Sequence, residues 1–161
     1  MQAIPSQRFL SYFSVGGLAT MCLGIALACG TTWAQAQEFL SIKGSVVNIR
    51  TKPTTASDVA WELINGYPLQ VMSKQDEWIR VKDFEGPLGW VNKRFVSSQP
   101  HFIIQVNSVN LRSEPNTKSS VVAKLNKYDI VETLQKTDTW AKVRNAAGQQ
   151  GWILQSLAWG W

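Results

Sequence analysis

GWVNKRFV, Gly89 to Val96, and GWILQSLA, Gly151 to Ala158, each close one copy of the same unit. They lie about 62 residues apart, and outward from them the matches continue at that offset without a gap. Asp76, Trp78, Val81 and Gly86 meet Asp138, Trp140, Val143 and Gly148. Farther back, Val47, Asn48, Arg50 and Pro53 meet Val109, Asn110, Arg112 and Pro115. Ser57, Val59 and Leu63 meet Ser119, Val121 and Leu125. Chance does not align so many Trp, Gly and Pro, so the chain is an internal duplication. Its 161 residues therefore hold two small domains rather than one medium one. A domain of roughly 60 residues buries only about 60% of its unfolded surface, which makes each unit marginal alone.

Nothing in either unit has helical periodicity over more than a turn. In the first, Val46 to Ile49 reads as a strand that stops at Thr51-Lys52-Pro53, where Pro removes a ladder donor. Val59 to Leu63, Leu69 to Met72, Trp78 to Lys82 and Trp90-Val91 follow, separated by Asn65-Gly66, Lys74 to Glu77 and Glu85-Gly86-Pro87. The second unit repeats the series as Val109 to Arg112, Val121 to Leu125, Ile130 to Leu134, Trp140 to Arg144 and Trp152-Ile153. Short strands at this spacing predict an all-β chain of two tandem small barrels, at residues 37–98 and 99–161. Phe39, Leu40 and Ile42 open the first unit, as Phe102, Ile103, Ile104 and Val106 open the second. The linker Ser97-Ser98-Gln99-Pro100-His101 is too short to be a free tether, so the units are expected to pack closely.

Residues 1–36 read as a secretory signal peptide. Arg8 is the only charge, an apolar run extends from Phe9 to Ala28, and Ala34-Gln35-Ala36 offers a small-x-small cleavage site. Export to the periplasm or beyond, with cleavage after Ala36, is the expectation. The run approaches the length that spans a bilayer, so an uncleaved anchor is the alternative, and with it the only membrane association. Cys29 would serve a lipoprotein, but the large aliphatic residue three places before it is missing. Cys22 and Cys29 both precede Ala36, so the exported part has no disulfide and no thiolate chemistry.

VNIRTKP, DEWIRV and GPLGWVNKRFV, echoed as VNLRSEP, DTWAKV and GQQGWIL, resemble bacterial SH3-like (Src homology 3-like) domains. The paired arrangement ending in LAWGW is similar to an exported family of tandem SH3-like proteins. GWVNKRFV is also similar to the eukaryotic SH3 signature, in which aromatic side chains line a peptide groove. Carried over by position, the resemblance implies ligand contacts at Trp78, Trp90 and Phe95, and at Trp140 and Trp152 in the second unit, where Leu157 replaces the last aromatic. Asn92 and Leu154 stand where that signature has Pro, so proline-peptide specificity is not implied. Such domains act as wall-targeting or accessory modules, which implies binding to peptidoglycan or to a peptide segment of an envelope protein.

Strand parity agrees with this placement. Ile79 and Val81 point to one face, with Trp78, Arg80 and Lys82 on the other, and Ala141 and Val143 oppose Trp140, Lys142 and Arg144. A Trp sharing a face with cations suits a rim or groove as well as half-buried packing. Asn48, Arg50, Asn110 and Arg112 are assigned structural work, the Asn holding a turn and the Arg bridging through its fork of donors. Trp61 and Tyr67 have no aromatic counterparts at Ala123 and Asp129; if exposed, they would give the first unit its own contact surface. Asp83 and Glu85 are expected in a surface turn. The only His, His101, sits in the linker, which leaves no Cys-His pair and no His-based triad. No catalytic residue, metal cluster, phosphate loop or cofactor is expected, and no nucleic-acid partner. An assembly subunit, its aromatic surfaces packed on another envelope protein, is the rival to a ligand-binding module.

Overall fold

The computed structural model describes residues 37–161. The expected signal segment, the expected cleavage after Ala36 and both cysteines lie outside the described residues. The first repeat runs β1 (Phe39–Ile42), β2 (Val46–Arg50), β3 (Val59–Ile64), β4 (Pro68–Gln75), β5 (Trp78–Lys82) and β6 (Leu88–Asn92). A single 3-10 turn (Lys93–Phe95) then leads into β7 (Val96–Ser97). The second repeats the order as β8 (His101–Ile104), β9 (Ser108–Arg112), β10 (Val121–Asn126), β11 (Ile130–Lys136), β12 (Trp140–Arg144) and β13 (Gln150–Leu154). Its 3-10 turn is Gln155–Leu157 and its last strand β14 (Ala158–Gly160).

Each repeat forms one antiparallel seven-stranded sheet, in the orders β3-β2-β6-β5-β4-β1-β7 and β10-β9-β13-β12-β11-β8-β14. The expected closed barrel is not formed by hydrogen bonds. Among the described strands no ladder joins β3 to β7 or β10 to β14, because β7 and β14 are very short and spend their pairing on β1 and β8. Side chains bring the sheet around instead. Ile42, Val47, Ile49, Leu63, Leu69, Ile79, Val81 and Val91, contributed by six strands of one sheet, pack into a single core. A flat sheet cannot pack its own face against itself, so the sheet must curl. Irregular register at Ile49/Arg50 and Val71/Ser73 marks the bends, and the same irregularity recurs at Val121/Ala123 and Thr133/Gln135.

The two repeats meet at an aromatic seam. The Phe39 and Trp159 rings stand edge to face with centroids 5.0 Å apart. Phe84 reaches Trp159 at 6.3 Å, Tyr128 at 5.8 Å and Tyr67 at 6.5 Å. Polar contacts flank the rings: buried Ser41 donates to Gln99 O at 2.7 Å, and Tyr128 Oη donates to Glu85 Oε1 at 3.0 Å. His101 Nδ1 lies 3.1 Å from Ser41 Oγ, so the lone histidine is a seam residue inside β8. Asp83 is only 7% exposed and accepts from Tyr67 Oη and from Glu85 N, both at 3.0 Å. The surface turn expected at Asp83 is thus half an interface, because Tyr67 and Phe84 need cover from the other repeat.

Candidate functional site

Alternation on β5 buries Ile79 and Val81 and leaves Trp78 half-buried on the opposite face with Arg80. Trp78 stands across from Asn92 at the end of β6. Asn92 Oδ1 accepts from Arg94 N at 3.2 Å and caps the 3-10 turn, so the residue found where the eukaryotic signature has Pro sets the turn that places Phe95. From the other side, Arg50 Nη1 donates to Ser57 O at 2.5 Å and ties the β2–β3 loop back onto β2. Ser57 Oγ bonds Lys52 O at 3.0 Å and tightens that loop around Thr55. These elements enclose a pocket of about 180 Å³ lined by Val46, Val47, Asn48, Arg50, Thr55, Trp78, Asn92, Arg94 and Phe95.

The second repeat builds the same place by the same means. Arg112 Nη1 donates to Ser119 O at 2.8 Å, and Ser119 Oγ bonds Glu114 O at 3.0 Å. The resulting pocket, about 220 Å³, is lined by Ser108, Val109, Asn110, Arg112, Thr117, Trp140, Leu154 and Leu157. Here Leu154 makes no side-chain cap to the turn.

Of the residues singled out from sequence, Trp78 and Phe95 share one pocket, and Trp140 shares the other with Leu157. Trp90 and Trp152 do not line them. Trp90 lies half-buried in register with Arg50 on one side and Arg80 on the other, and Trp152 likewise with Arg112 and Lys142. Asn48 and Asn110 hold no turn; both are mid-strand and line the pockets. Arg50 and Arg112 do bridge, from strand to loop, yet they line the pockets as well. Thr55 and Thr117 were not singled out, although they match across the duplication. A retained pair of small polar residues in a loop carries little signal until the loop is seen folded over a Trp.

Trp61 and Tyr67 do not form an exposed contact surface. Trp61 packs on the core, its ring edge filling the space left by Gly89, and Tyr67 turns into the seam. Burial first, and the neighbouring Asp83 carboxylate second, push the Tyr67 pKa above the usual tyrosine range. A larger cavity of about 430 Å³ lies along β4 beside Gln37 and Glu38, but no aromatic side chain lines it. Its charges are paired, with Lys74 Nζ 2.6 Å from Glu38 Oε1. Among the described residues no group of three or more His, Cys, Asp or Glu could hold a metal ion.

The family model of the bacterial SH3 domain matches this chain twice, over residues 43–98 and 105–160. Among solved structures, NlpC2 from Trichomonas vaginalis is similar at 15% identity and TM-score 0.37, over 79% of this chain and 49% of that one. NlpC1 from the same organism is similar at 17% and 0.36, over 84% of this chain and 50% of that one. An NlpC/P60 family protein from Bacillus cereus gives 14% and 0.35, over 76% and 56%. The chain spans about half the length of these structures. No curated protein matches it. The family model takes in nearly the whole of both sheets, with both pockets, and by that double match the chain belongs to the bacterial SH3 domain family.

Proposed function

We propose that the chain is a non-enzymatic binding module of the cell envelope, reached through its N-terminal signal segment, that recognises peptidoglycan through its stem peptides. One observation carries this reading: both repeats keep a pocket in which Asn, Arg, Thr and Trp recur at matching positions. Core packing accounts for none of the four, since all lie off the buried face. A Trp wall with convergent amide, hydroxyl and guanidinium donors suits a short peptide, whose backbone carbonyls and carboxylates are acceptors. The family's role in wall targeting supplies the polymer, and two pockets on one chain gain avidity on a repetitive ligand when both engage.

Sedimentation with purified sacculi tests it, using protein from the envelope fraction, whose intact mass also reports whether the chain begins at Gln37. Trp78→Ala should cost about 2 kcal/mol, a roughly thirtyfold loss of affinity, with the circular dichroism spectrum unchanged. Lys93→Ala, at an exposed ion pair with Glu77, should cost under about 1 kcal/mol. Undiminished binding by Trp78→Ala would put the ligand elsewhere, and unfolding would make Trp78 a packing residue.

A specific feature favours the assembly reading as the second one. Val46 and Ile64 face each other across β2 and β3, each 57% exposed, while their counterparts Ser108 and Asn126 are polar. An exposed apolar pair confined to one repeat suits a protein partner that covers it.

A further inference from the structure

The chain carries its pocket twice, so each copy serves as the control for the other. Asn48, Arg50, Thr55 and Trp78 have Asn110, Arg112, Thr117 and Trp140 in the same places. Apart from Val46 against Ser108, the differences all fall on β6 and the 3-10 turn. There the first pocket has Asn92, Arg94 and Phe95, whereas the second has Leu154 and Leu157, with Ser156 at the position of Arg94. One wall is constant; the other has changed from cationic and aromatic to aliphatic.

Arg94 lies on the changed wall, in the 3-10 turn. Its guanidinium carbon sits 4.5 Å over the centroid of the Phe95 ring, a cation–π contact that favours this placement of the exposed side chain at the pocket. Stacking leaves the in-plane N–H donors unused. Among the described residues no carboxylate pairs with Arg94, and Glu77 beyond the turn is engaged by Lys93 at 3.8 Å. Arg50 spends Nη1 on Ser57 O and keeps its other donors. The first pocket therefore presents two guanidinium groups, from β2 and from the turn, with no acidic residue in its lining; the second presents one.

Resting on the stem-peptide reading of the pockets, we infer that the two read different forms of the same peptide unit. The first takes a free carboxylate terminus, held by Arg94 and Arg50 between Trp78 and Phe95. The second takes the unit where that carboxylate is absent, as in a cross-linked or amidated stem, against Leu154 and Leu157. A planar fork that matches a carboxylate bidentately makes Arg94 the specificity-determining residue.

Calorimetric titration of the full chain with Nα,Nε-diacetyl-Lys-D-Ala-D-Ala and with its C-terminal amide tests this. The acid should bind about tenfold more tightly than the amide, with the gap narrowing at high salt. Arg94→Ser should weaken the acid far more than the amide and so remove most of the difference between them; Arg94→Lys should restore part of it. Ser156→Arg should create the preference in the second pocket when tested in a Trp78→Ala background. Equal binding of acid and amide by the wild type overturns the inference and leaves the pocket reading standing, provided Trp78→Ala still abolishes the stronger binding phase. Binding of neither peptide removes the pocket reading and this inference with it. A chito-oligosaccharide that binds the first pocket with the same dependence on Arg94 overturns the inference in favour of a glycan.

Discussion

Gly151 occupies a place where a side chain has no room. A Cβ there would fall 2.7 Å from Arg112 O and 2.7 Å from Leu111 Cγ, the first being backbone that cannot swing aside. At Gly89 the equivalent atom would strike Ile49 and come within 2.9 Å of Trp61 Cη2. Glycine is therefore needed for close approach of the central strands, and each one also brings Trp90 or Trp152 into line with its cations. Gly151→Val should destabilise the protein by about 2 kcal/mol or more, a large part of a small domain's margin. A urea midpoint within error of wild type would show that the strands can separate freely. Tyr67 makes a second residue-scale case. Its folded pKa is raised, so the stability it contributes is whole below about pH 10, the ordinary tyrosine value, and is lost as pH rises toward the folded value. The unfolded chain then holds fewer protons than the folded one, and stability should fall by up to about 1.4 kcal/mol per pH unit. Tyr67→Phe should flatten that fall above about pH 10 in urea titrations; an identical slope would mean Tyr67 ionises freely.

Among the elements, the 3-10 turns and the strands after them do the most with the fewest residues. Lys93–Phe95 and Gln155–Leu157 each bring a side chain to a pocket and then deliver β7 or β14 to the sheet edge. In the second repeat that edge carries Trp159, which reaches Phe39 and Phe84 of the first. Gly160 lets the strand pass close, since a Cβ would lie 2.5 Å from His101 O and 3.2 Å from Pro68 Cβ. β14 is thus the element through which one repeat holds the other. Trp159→Ala removes a half-buried indole and its edge-to-face contact, a loss of about 2 to 3 kcal/mol.

For the whole molecule, the consequence is coupling. The described residues form one compact unit, and the seam gives each marginal repeat an apolar face it could not cover alone. Wild type should unfold in a single urea transition, seen alike by tryptophan fluorescence and by circular dichroism. In Trp159→Ala the two probes should separate as the repeats lose their hold on each other. Coincident, unshifted curves in the variant would show that the seam contributes nothing to cooperativity.

Strand after strand was legible because period-two alternation is a local property. Ile79 and Val81 against Trp78 and Arg80 needed only the side chains of β5, and β5 and β12 have the bounds that alternation predicts. The duplication was legible for a similar reason, since Trp, Gly and Pro at fixed offsets are a property of the string. Openness of the sheets was not: whether β3 finds β7 depends on how far each strand extends and which edge it takes. The pocket walls lay beyond the sequence too. Thr55, Asn48 and Arg94 acquire meaning only when the β2–β3 loop is tied down at Arg50 and the turn is capped at Asn92. Asp83, Tyr67 and His101 are polar residues near turns, and sequence places such residues in water. Burial put them in the seam instead, because cover for Phe39 and Phe84 comes from the other repeat, a long-range fact that no window of sequence contains.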